Sequence, residues 1–273
     1  MNTSILPLLL EPDQLVSLLA TQPDNLLILD VSSAESYKQH HLPDAIHIAP
    51  KSLQSGEPAV PGKLPNLEQL SVLFSLAGLS PDKHVIVYDD EGGGWAGRLI
   101  WTLDVMGHSN YSYLNGGIHA WANEGHPTET TPNTGKTTQY SASIHRGPIA
   151  EIDDILPNIA TKNFAIWDAR SAQEFDGSKL LAKRGGHIPG AVNIDWLELI
   201  DKERHFRLVD LNVLQLRLND AGLTQEKQIV THCHTHHRSG LSYLVMKILG
   251  YTNIKGYHGS WSEWGNREDT PIA

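Results

Sequence analysis

Short apolar runs alternate along the chain with longer stretches in which apolar residues recur every three or four positions. The short runs are typical of buried strands, and the longer stretches are typical of amphipathic helices. The predicted strands are 26–29, 85–88, 111–114, 164–167 and 229–232. The predicted helices are 12–20, 66–79, 98–107, 149–156, 211–223 and 241–249. This alternation predicts an α/β fold with mainly parallel sheets flanked by helices.

The same order of landmarks occurs twice along the chain. They are Asp30, HLPDA at 41–45, Asp89 and Gly107 in the first half, and Asp168, HIPGA at 187–191, Cys233 and Gly250 in the second. The near-constant spacing indicates an internal repeat, with an insertion near 177–185 in the second half. Residues 127–147 are polar and lack an apolar face, which is typical of a linker. We therefore predict an N-terminal domain at 1–126, a linker at 127–147 and a C-terminal domain at 148–273.

Composition limits the partners and the compartment. The 273 residues carry a net charge of −10, which argues against nucleic acid or an anionic membrane as a partner. A single cysteine allows no internal disulfide and favours a reducing compartment. The first residues lack the basic region of a signal peptide, and no segment is apolar enough to span a bilayer. We expect a cytoplasmic protein.

The only cysteine, Cys233, lies between a predicted strand and a predicted helix, in the sequence THCHTHHRSG. Ligands of open α/β sheets bind at this end of the strands, and free backbone N–H groups at a helix start favour anions. A cysteine pKa of about 8.5 falls when cations and a helix N-terminus are close. Arg238 is a permanent cation, and His234, His236 and His237 can be partly cationic near neutral pH. The loop therefore predicts a reactive thiolate in a small, positive, anion-binding site.

Three other interpretations compete for this loop. A lone cysteine is often buried and inert. A metal site would use the histidines, but adjacent loop residues rarely converge on one ion, and strand alternation points His232 elsewhere. A cysteine phosphatase has five residues between its cysteine and arginine, whereas four separate Cys233 from Arg238. The shorter loop is better suited to one sulfur atom than to a phosphoryl group.

Asp89 stands in the first half where Cys233 stands in the second, and its loop DDEGGGWAG is acidic and rich in glycine. A carboxylate is no soft nucleophile, so we expect the first domain to be catalytically inactive and to pack against the second. The alternative is a glycine loop that holds a phosphate, but no lysine or threonine accompanies it.

The chain resembles the tandem-domain rhodaneses, which are sulfurtransferases. The resemblance depends on LLILD, HLPDA and LNGGIHAW in the first half, and on WDARS, GHIPGAVNI, CHTHHRSG and GSWSEWG in the second. It implies two rhodanese-like domains, the first inactive. It also implies a thiosulfate sulfurtransferase that passes sulfur to cyanide, a thiol or a protein acceptor through a Cys233 persulfide, with no cofactor or metal. A 3-mercaptopyruvate sulfurtransferase and a persulfide carrier are the alternatives.

The predicted substrate-binding residues follow from the loop and from the resemblance. They are Arg184, His234, Thr235, His236, His237 and Arg238. Family members place an arginine at the position of Arg184 that binds the anionic group of the donor. The histidines either bind donor oxygens or provide positive charge, and we expect the second. Asp168 and Arg170 are expected to form a structural group with Glu174.

Overall fold

The computed structural model describes residues 6–21 and 23–273, and its N-terminal half is built on one parallel sheet. The strands are β1 Leu9–Leu10, β2 Leu26–Asp30, β3 Ile46–His47, β4 His84–Tyr88 and β5 Tyr111–Leu114. Their order in the sheet is β1-β5-β4-β2-β3, and every pair is parallel. The helices are α1 Pro12–Thr21, α2 Ala34–Gln39, α3 Leu67–Ala77, α4 Gly94–Val105 and α5 Gly117–Asn123.

The C-terminal half repeats this topology. Its strands are β6 Ile149–Ala150, β7 Phe164–Asp168, β8 Ala191–Asn193, β9 Ile200–Asp201, β10 Arg207–Leu208, β11 Gln228–His232 and β12 Ile254–Tyr257. Its helices are α6 Ile152–Ile155, α7 Ala172–Phe175, α8 Leu211–Asp220, α9 Arg238–Ile248 and α10 Ser260–Trp264. The parallel sheet has the order β6-β12-β11-β7-β8, and β9 pairs with β10 as a separate antiparallel ribbon. The predicted fold class and the internal repeat are confirmed.

Local sequence explains most of the element boundaries. A capping box between Asn66 and Gln69 starts α3, and the helix ends at Gly78 with a φ of 87°. Several boundaries were predicted wrongly, since α9 begins at Arg238 rather than at residue 241 and α8 ends at Asp220 rather than at residue 223. Helix α4 begins at Gly94 rather than at residue 98, and the predicted helix 149–156 begins with strand β6. The two-residue strands were missed because two residues carry no hydrophobic period.

The two halves pack against each other along α4 and α9, which confirms the predicted role of the first domain in packing. A Cβ atom at Gly97 would overlap the carbonyl oxygen of Gly240, and one at Gly240 would lie 2.5 Å from the nitrogen of Arg98. Only glycine permits this approach of the two backbones. A single buried cluster of side chains, including Leu99 and Leu241, spans the contact. The start of α9 is thereby held against the N-terminal domain.

The longest apolar helices lie within this core. None of the helices in the described ranges 6–21 and 23–273 has the length and hydropathy needed to cross a bilayer.

Candidate active site

Cys233 follows β11 directly, and five residues later α9 begins at Arg238. Its side chain is 1% exposed. The N–H of Cys233 donates to Ser260 Oγ at 3.3 Å, and its carbonyl accepts from the N–H of Trp261 at 3.0 Å. The N–H of Ser262 donates to the carbonyl of His234 at 2.9 Å. The start of α10 therefore holds the backbone of the cysteine loop in place.

The buried thiol of Cys233 lies near one cation and near the donors of two loop residues. Burial raises the pKa of the thiol, but the charge of Arg238 lowers it. The hydroxyl and N–H of Ser239 and the N–H of Thr235, which favour the thiolate as hydrogen-bond donors, lower it further. The net pKa is below the ordinary value of a cysteine. This arrangement stabilises a thiolate, as the sequence predicted, although the side chain is more deeply buried than an open loop suggests.

Arg238 is bound to the carboxylate of Glu174 on α7. Its Nη1 donates to Oε2 at 2.7 Å and its Nη2 to Oε1 at 2.8 Å. Burial raises the pKa of Glu174, but the bonds and charge of Arg238 outweigh this and bring it to about 2. Burial lowers the pKa of Arg238, but Glu174 and Cys233 together raise it above its ordinary value. Both groups therefore stay charged at neutral pH.

The prediction that Glu174 joins Asp168 and Arg170 was wrong. Arg170 donates to Asp168 alone among these carboxylates, with its Nη2 2.6 Å from Oδ2, and its guanidinium lies 4.2 Å from the centroid of the Trp261 ring. Glu174 is 2% exposed and faces the cysteine loop instead. The physical reason is its place in the capping box of α7 with Ser171, which aims the carboxylate at Arg238.

His236 is fully buried in the contact between the domains. Its Nδ1 is 2.7 Å from Ser239 Oγ, and its ring lies edge-on to Trp101 with centroids 4.5 Å apart. The hydrogen bond between His236 and the Ser239 hydroxyl ties this imidazole to a residue that favours the thiolate of Cys233. Burial and the charge of Arg98 hold the pKa of His236 well below its ordinary value. His236 is neutral and positions Ser239.

The expectation of cationic imidazoles is therefore wrong for His236, and it is wrong for His234 as well. Burial, followed by the charge of Arg238, lowers the pKa of His234. Sequence could not show this, because both effects depend on how the loop is covered. His234 is half-buried, and its contact with a substrate stays a prediction.

His237 and Thr235 contact the N-terminal domain. His237 Nε2 donates to Glu91, and its ring stacks on Trp95 with centroids 4.2 Å apart. The carbonyl of Thr235 accepts from Gln54 Nε2 at 3.3 Å. A Cβ at Gly62 would lie 2.7 Å from the Cα of Thr235. Residues 54–62 of the first domain therefore cover the cysteine loop, and the site is completed by both halves.

Arg184 lies away from these contacts. Its Nη1 donates to the carbonyl of Thr270 at 3.0 Å, and its Nη2 donates to the carbonyl of Trp264 at 3.0 Å and to Thr270 Oγ1 at 2.5 Å. These bonds tie the segment inserted in the second half to the C-terminal end of the chain. The structure does not bond Arg184 to the cysteine loop, and its donor-binding role stays a prediction.

His232 faces away from the sulfur, as strand alternation predicted. Its Nε2 is 3.5 Å from Asp168 Oδ2, on the far side of β11. Within the described part of the chain, the acids and histidines whose ligand atoms converge are Asp13, Glu124 and His126 in the N-terminal domain. That group contains no residue of the cysteine loop.

In the equivalent loop of the first domain, the carboxylate of Asp89 accepts hydrogen bonds from the backbone of its own loop. Its Oδ1 accepts from the N–H groups of Glu91, Gly92 and Gly93 at 3.2, 3.1 and 2.8 Å. Its Oδ2 accepts from the N–H of Ala96 at 3.0 Å. Burial, followed by the charge of Glu91, raises the pKa of Asp89 to about 7 in spite of these bonds. The donors that a phosphate would need are already used, so the phosphate alternative is wrong.

Sequence reasoning missed four residues near Cys233: Gln54, Arg98, Glu174 as the partner of Arg238, and Ser239 as a donor to the sulfur. One feature of the sequence could have identified Arg98. It stands in the buried helix α4 where the second half of the repeat has Leu241, and a charge at an apolar position of a buried helix needs a reason.

Comparison with known proteins agrees with this geometry. The family model described as the Rhodanese-like domain matches twice, at residues 11–124 and 151–267. A thiosulfate sulfurtransferase of Azotobacter vinelandii is 47% identical over 98% of this chain and 97% of that protein. One of Pseudomonas aeruginosa is 43% identical over 98% of each chain. The structure of the 3-mercaptopyruvate sulfotransferase SseA from Escherichia coli is similar with a TM-score of 0.80 at 25% identity, over 94% of this chain and 99% of SseA. The chain therefore belongs to the rhodanese family.

Proposed function

We propose that the protein is a thiosulfate sulfurtransferase that moves the outer sulfur of thiosulfate to cyanide or another thiophilic acceptor through a persulfide on Cys233. The observation that carries the proposal is the thiol of Cys233, whose pKa is lowered by Arg238 and by the donors of Ser239 and Thr235. The names and the extensive identity of the two bacterial relatives support thiosulfate as the donor.

In the first half-reaction, the thiolate of Cys233 attacks the outer sulfur of thiosulfate. A sulfur–sulfur bond forms at Cys233 while the one within thiosulfate breaks, and its electron pair leaves with sulfite. The donors that stabilise the thiolate then stabilise the persulfide anion, because the negative charge moves outward by one atom only. His234, Thr235 and Arg238 are half-buried on the loop and are proposed to bind the donor's oxygens, with Arg184 as the more distant candidate.

In the second half-reaction, an acceptor such as cyanide attacks the outer sulfur of the persulfide. The carbon–sulfur bond of thiocyanate forms, the sulfur–sulfur bond breaks, and its electron pair restores the thiolate. Charge and atoms balance without an external electron donor, and the proposed cycle therefore needs no redox cofactor. The expectation that it uses no metal or other organic cofactor is part of the proposal. A single cysteine, which needs no disulfide partner, supports a cytoplasmic location.

The test is the intact mass of the protein before and after thiosulfate. We expect a gain of one sulfur atom, its loss after cyanide, and the appearance of one thiocyanate per sulfur lost. Cys233→Ala should show neither change. A Cys233→Ala protein that still forms thiocyanate at the wild-type rate would overturn the proposal.

Two related functions use the same loop. The similarity to SseA favours 3-mercaptopyruvate as a second candidate donor. Comparison of kcat/KM for the two donors separates them, and a clear preference for mercaptopyruvate would replace thiosulfate. A persulfide carrier would instead load from thiosulfate, turn over slowly with cyanide and pass its sulfur rapidly to a protein acceptor.

A further inference from the structure

Arg98 is a fully buried guanidinium of the N-terminal domain that lies at the contact with α9. It lies on α4, its side chain has no solvent exposure, and its backbone contacts Gly240 near the start of α9. Its Nη2 donates to the carbonyl of Leu53 at 2.7 Å. Its Nε and Nη1 have no hydrogen-bond partner among residues 6–21 and 23–273. Its charge lies over the ring of Trp101, 4.7 Å from the centroid.

A buried charge is expensive unless an opposite charge is close. Arg98 forms no ion pair with a carboxylate in the described part of the chain. Burial lowers the pKa of Arg98 to about 9, and the anion that opposes this shift is the thiolate of Cys233. The carbonyl partner, Leu53, lies next to Gln54, which bonds to the cysteine loop at Thr235. The Trp101 ring under Arg98 lies edge-on to His236, and His236 Nδ1 is 2.7 Å from Ser239 Oγ, so Arg98 is packed against the cysteine loop.

The other arginines around Cys233 already have carboxylate partners. Arg238 is bound to Glu174 through both terminal nitrogens, and Arg170 is bound to Asp168. The remaining titratable groups around Cys233 are histidines. They are His234, His236 and His237 on the loop and His258 after β12, while His232 lies on the far side of β11. Burial holds the pKa of His232, His234, His236 and His258 below the ordinary value, and His237 is bound to Glu91.

We propose that Arg98 is a cation without a carboxylate partner that, together with Arg238, stabilises the anion on residue 233, both as thiolate and as persulfide. The N-terminal domain has no nucleophile in its own loop, yet it supplies this charge across the α4–α9 contact. Arg98 is thus a positioning residue that acts through Cys233. The proposal rests on Cys233 being the sulfur-carrying thiolate.

The test is the pH dependence of Cys233 alkylation by iodoacetamide, which reports the thiolate without any sulfur donor. An opposite charge at short range lowers an acid's pKa, so its removal raises it. In Arg98→Met and Arg98→Gln we expect the midpoint to rise by about one pH unit, and the alkylation rate at pH 6 to fall about tenfold. Arg98→Lys keeps the positive charge, so its alkylation midpoint should stay close to that of the wild type.

Asp104→Asn is the matched control, because Asp104 also lies on α4 and bonds across the interface to Tyr243 and Lys247. It loosens the same contact without changing the charge beside the sulfur, and its alkylation midpoint should equal that of the wild type. An unchanged midpoint in folded Arg98→Met would overturn the proposal. If the unchanged midpoint comes with a higher KM for thiosulfate, Arg98 is a donor-binding residue instead.

A second measurement tests the proposal if the neutral variants Arg98→Met and Arg98→Gln do not fold. In the wild-type protein, the ¹⁵Nε resonance of Arg98, assigned by its loss in Arg98→Lys, should titrate with Cys233 and stop doing so in Cys233→Ala. A resonance that is insensitive to Cys233 would contradict the proposal. Both measurements remain valid if thiosulfate adds no sulfur, a result that would overturn the proposed function instead.

Discussion

Arg238 places both of its terminal nitrogens on the carboxylate of Glu174, at 2.7 and 2.8 Å, four residues of loop after the cysteine. This pair holds the guanidinium beside the sulfur, where its charge lowers the pKa of the Cys233 thiol. Glu174 lies on α7, outside the cysteine loop, so a second element of the C-terminal domain fixes the position of that charge. The proposed contribution of Arg98 comes from the other domain.

Glu174→Gln should destabilise the protein by about 3 kcal/mol at pH 7, because it leaves Arg238 buried without its counter-charge. The pKa of Glu174 is held at about 2, below the ordinary value of 4.5. A lowered carboxyl pKa adds stability above pH 4.5, and this stability is lost as the pH falls from 4.5 toward 2. Urea unfolding should show that the difference in free energy of unfolding between wild type and Glu174→Gln becomes smaller as the pH falls from 4.5 to 2.5.

Glu198→Gln is the control for this pair, since Glu198 bonds to Arg217 with both side chains exposed. It should change the free energy of unfolding by less than about 0.5 kcal/mol at any of these pH values. If the difference in free energy of unfolding between wild type and Glu174→Gln stays constant down to pH 2.5, the lowered pKa of Glu174 is contradicted.

Asp89→Ala should destabilise the N-terminal domain by about 2–4 kcal/mol, because four N–H groups of a buried loop lose their acceptor. Asp89→Asn keeps one carbonyl oxygen as an acceptor and should lose less stability. The melting temperature should therefore fall in the order wild type, Asp89→Asn, Asp89→Ala, which thermal unfolding measures. The sulfur gained by Cys233 from thiosulfate should persist in both variants while they are folded, since Asp89 serves the other loop. Equal stability of Asp89→Ala and wild type would show that water replaces the carboxylate.

Gly97→Ala should weaken the contact between the domains. The added Cβ would overlap the carbonyl of Gly240, so α4 and α9 must move apart at a cost of at least about 2 kcal/mol. Thiosulfate:cyanide turnover should fall as well, because the same shift moves Arg98 and the covering segment 54–62 away from Cys233. Turnover and urea unfolding of the purified variant measure both effects.

Gly147→Ala is the matched glycine control. A Cβ there meets no atom within 4 Å and its backbone is not left-handed, so stability and turnover should equal those of the wild type. A Gly97→Ala protein with wild-type turnover would show that the site does not depend on the close approach of the helices.

The sequence by itself determined the repeat, the α/β class and the cysteine loop, while the inactivity of the first domain stays a prediction. Each of these depends on the order of residues within one segment, such as the apolar run of β11, Cys233 and the start of α9. The lowered pKa of the thiol was predictable for the same reason, since Arg238, Ser239 and Thr235 are all neighbours of Cys233 in the chain.

Only the tertiary structure decided which charges remain in the site. Glu174 is 64 residues from Arg238, and Gln54 is 181 residues from Thr235, so no local pattern could pair them. The predicted cationic histidines were wrong because burial, which a linear sequence does not display, removes the charge of His234 and His236. Arg98 is packed at the start of α9 because two glycines, Gly97 and Gly240, let the backbones of α4 and α9 approach closely.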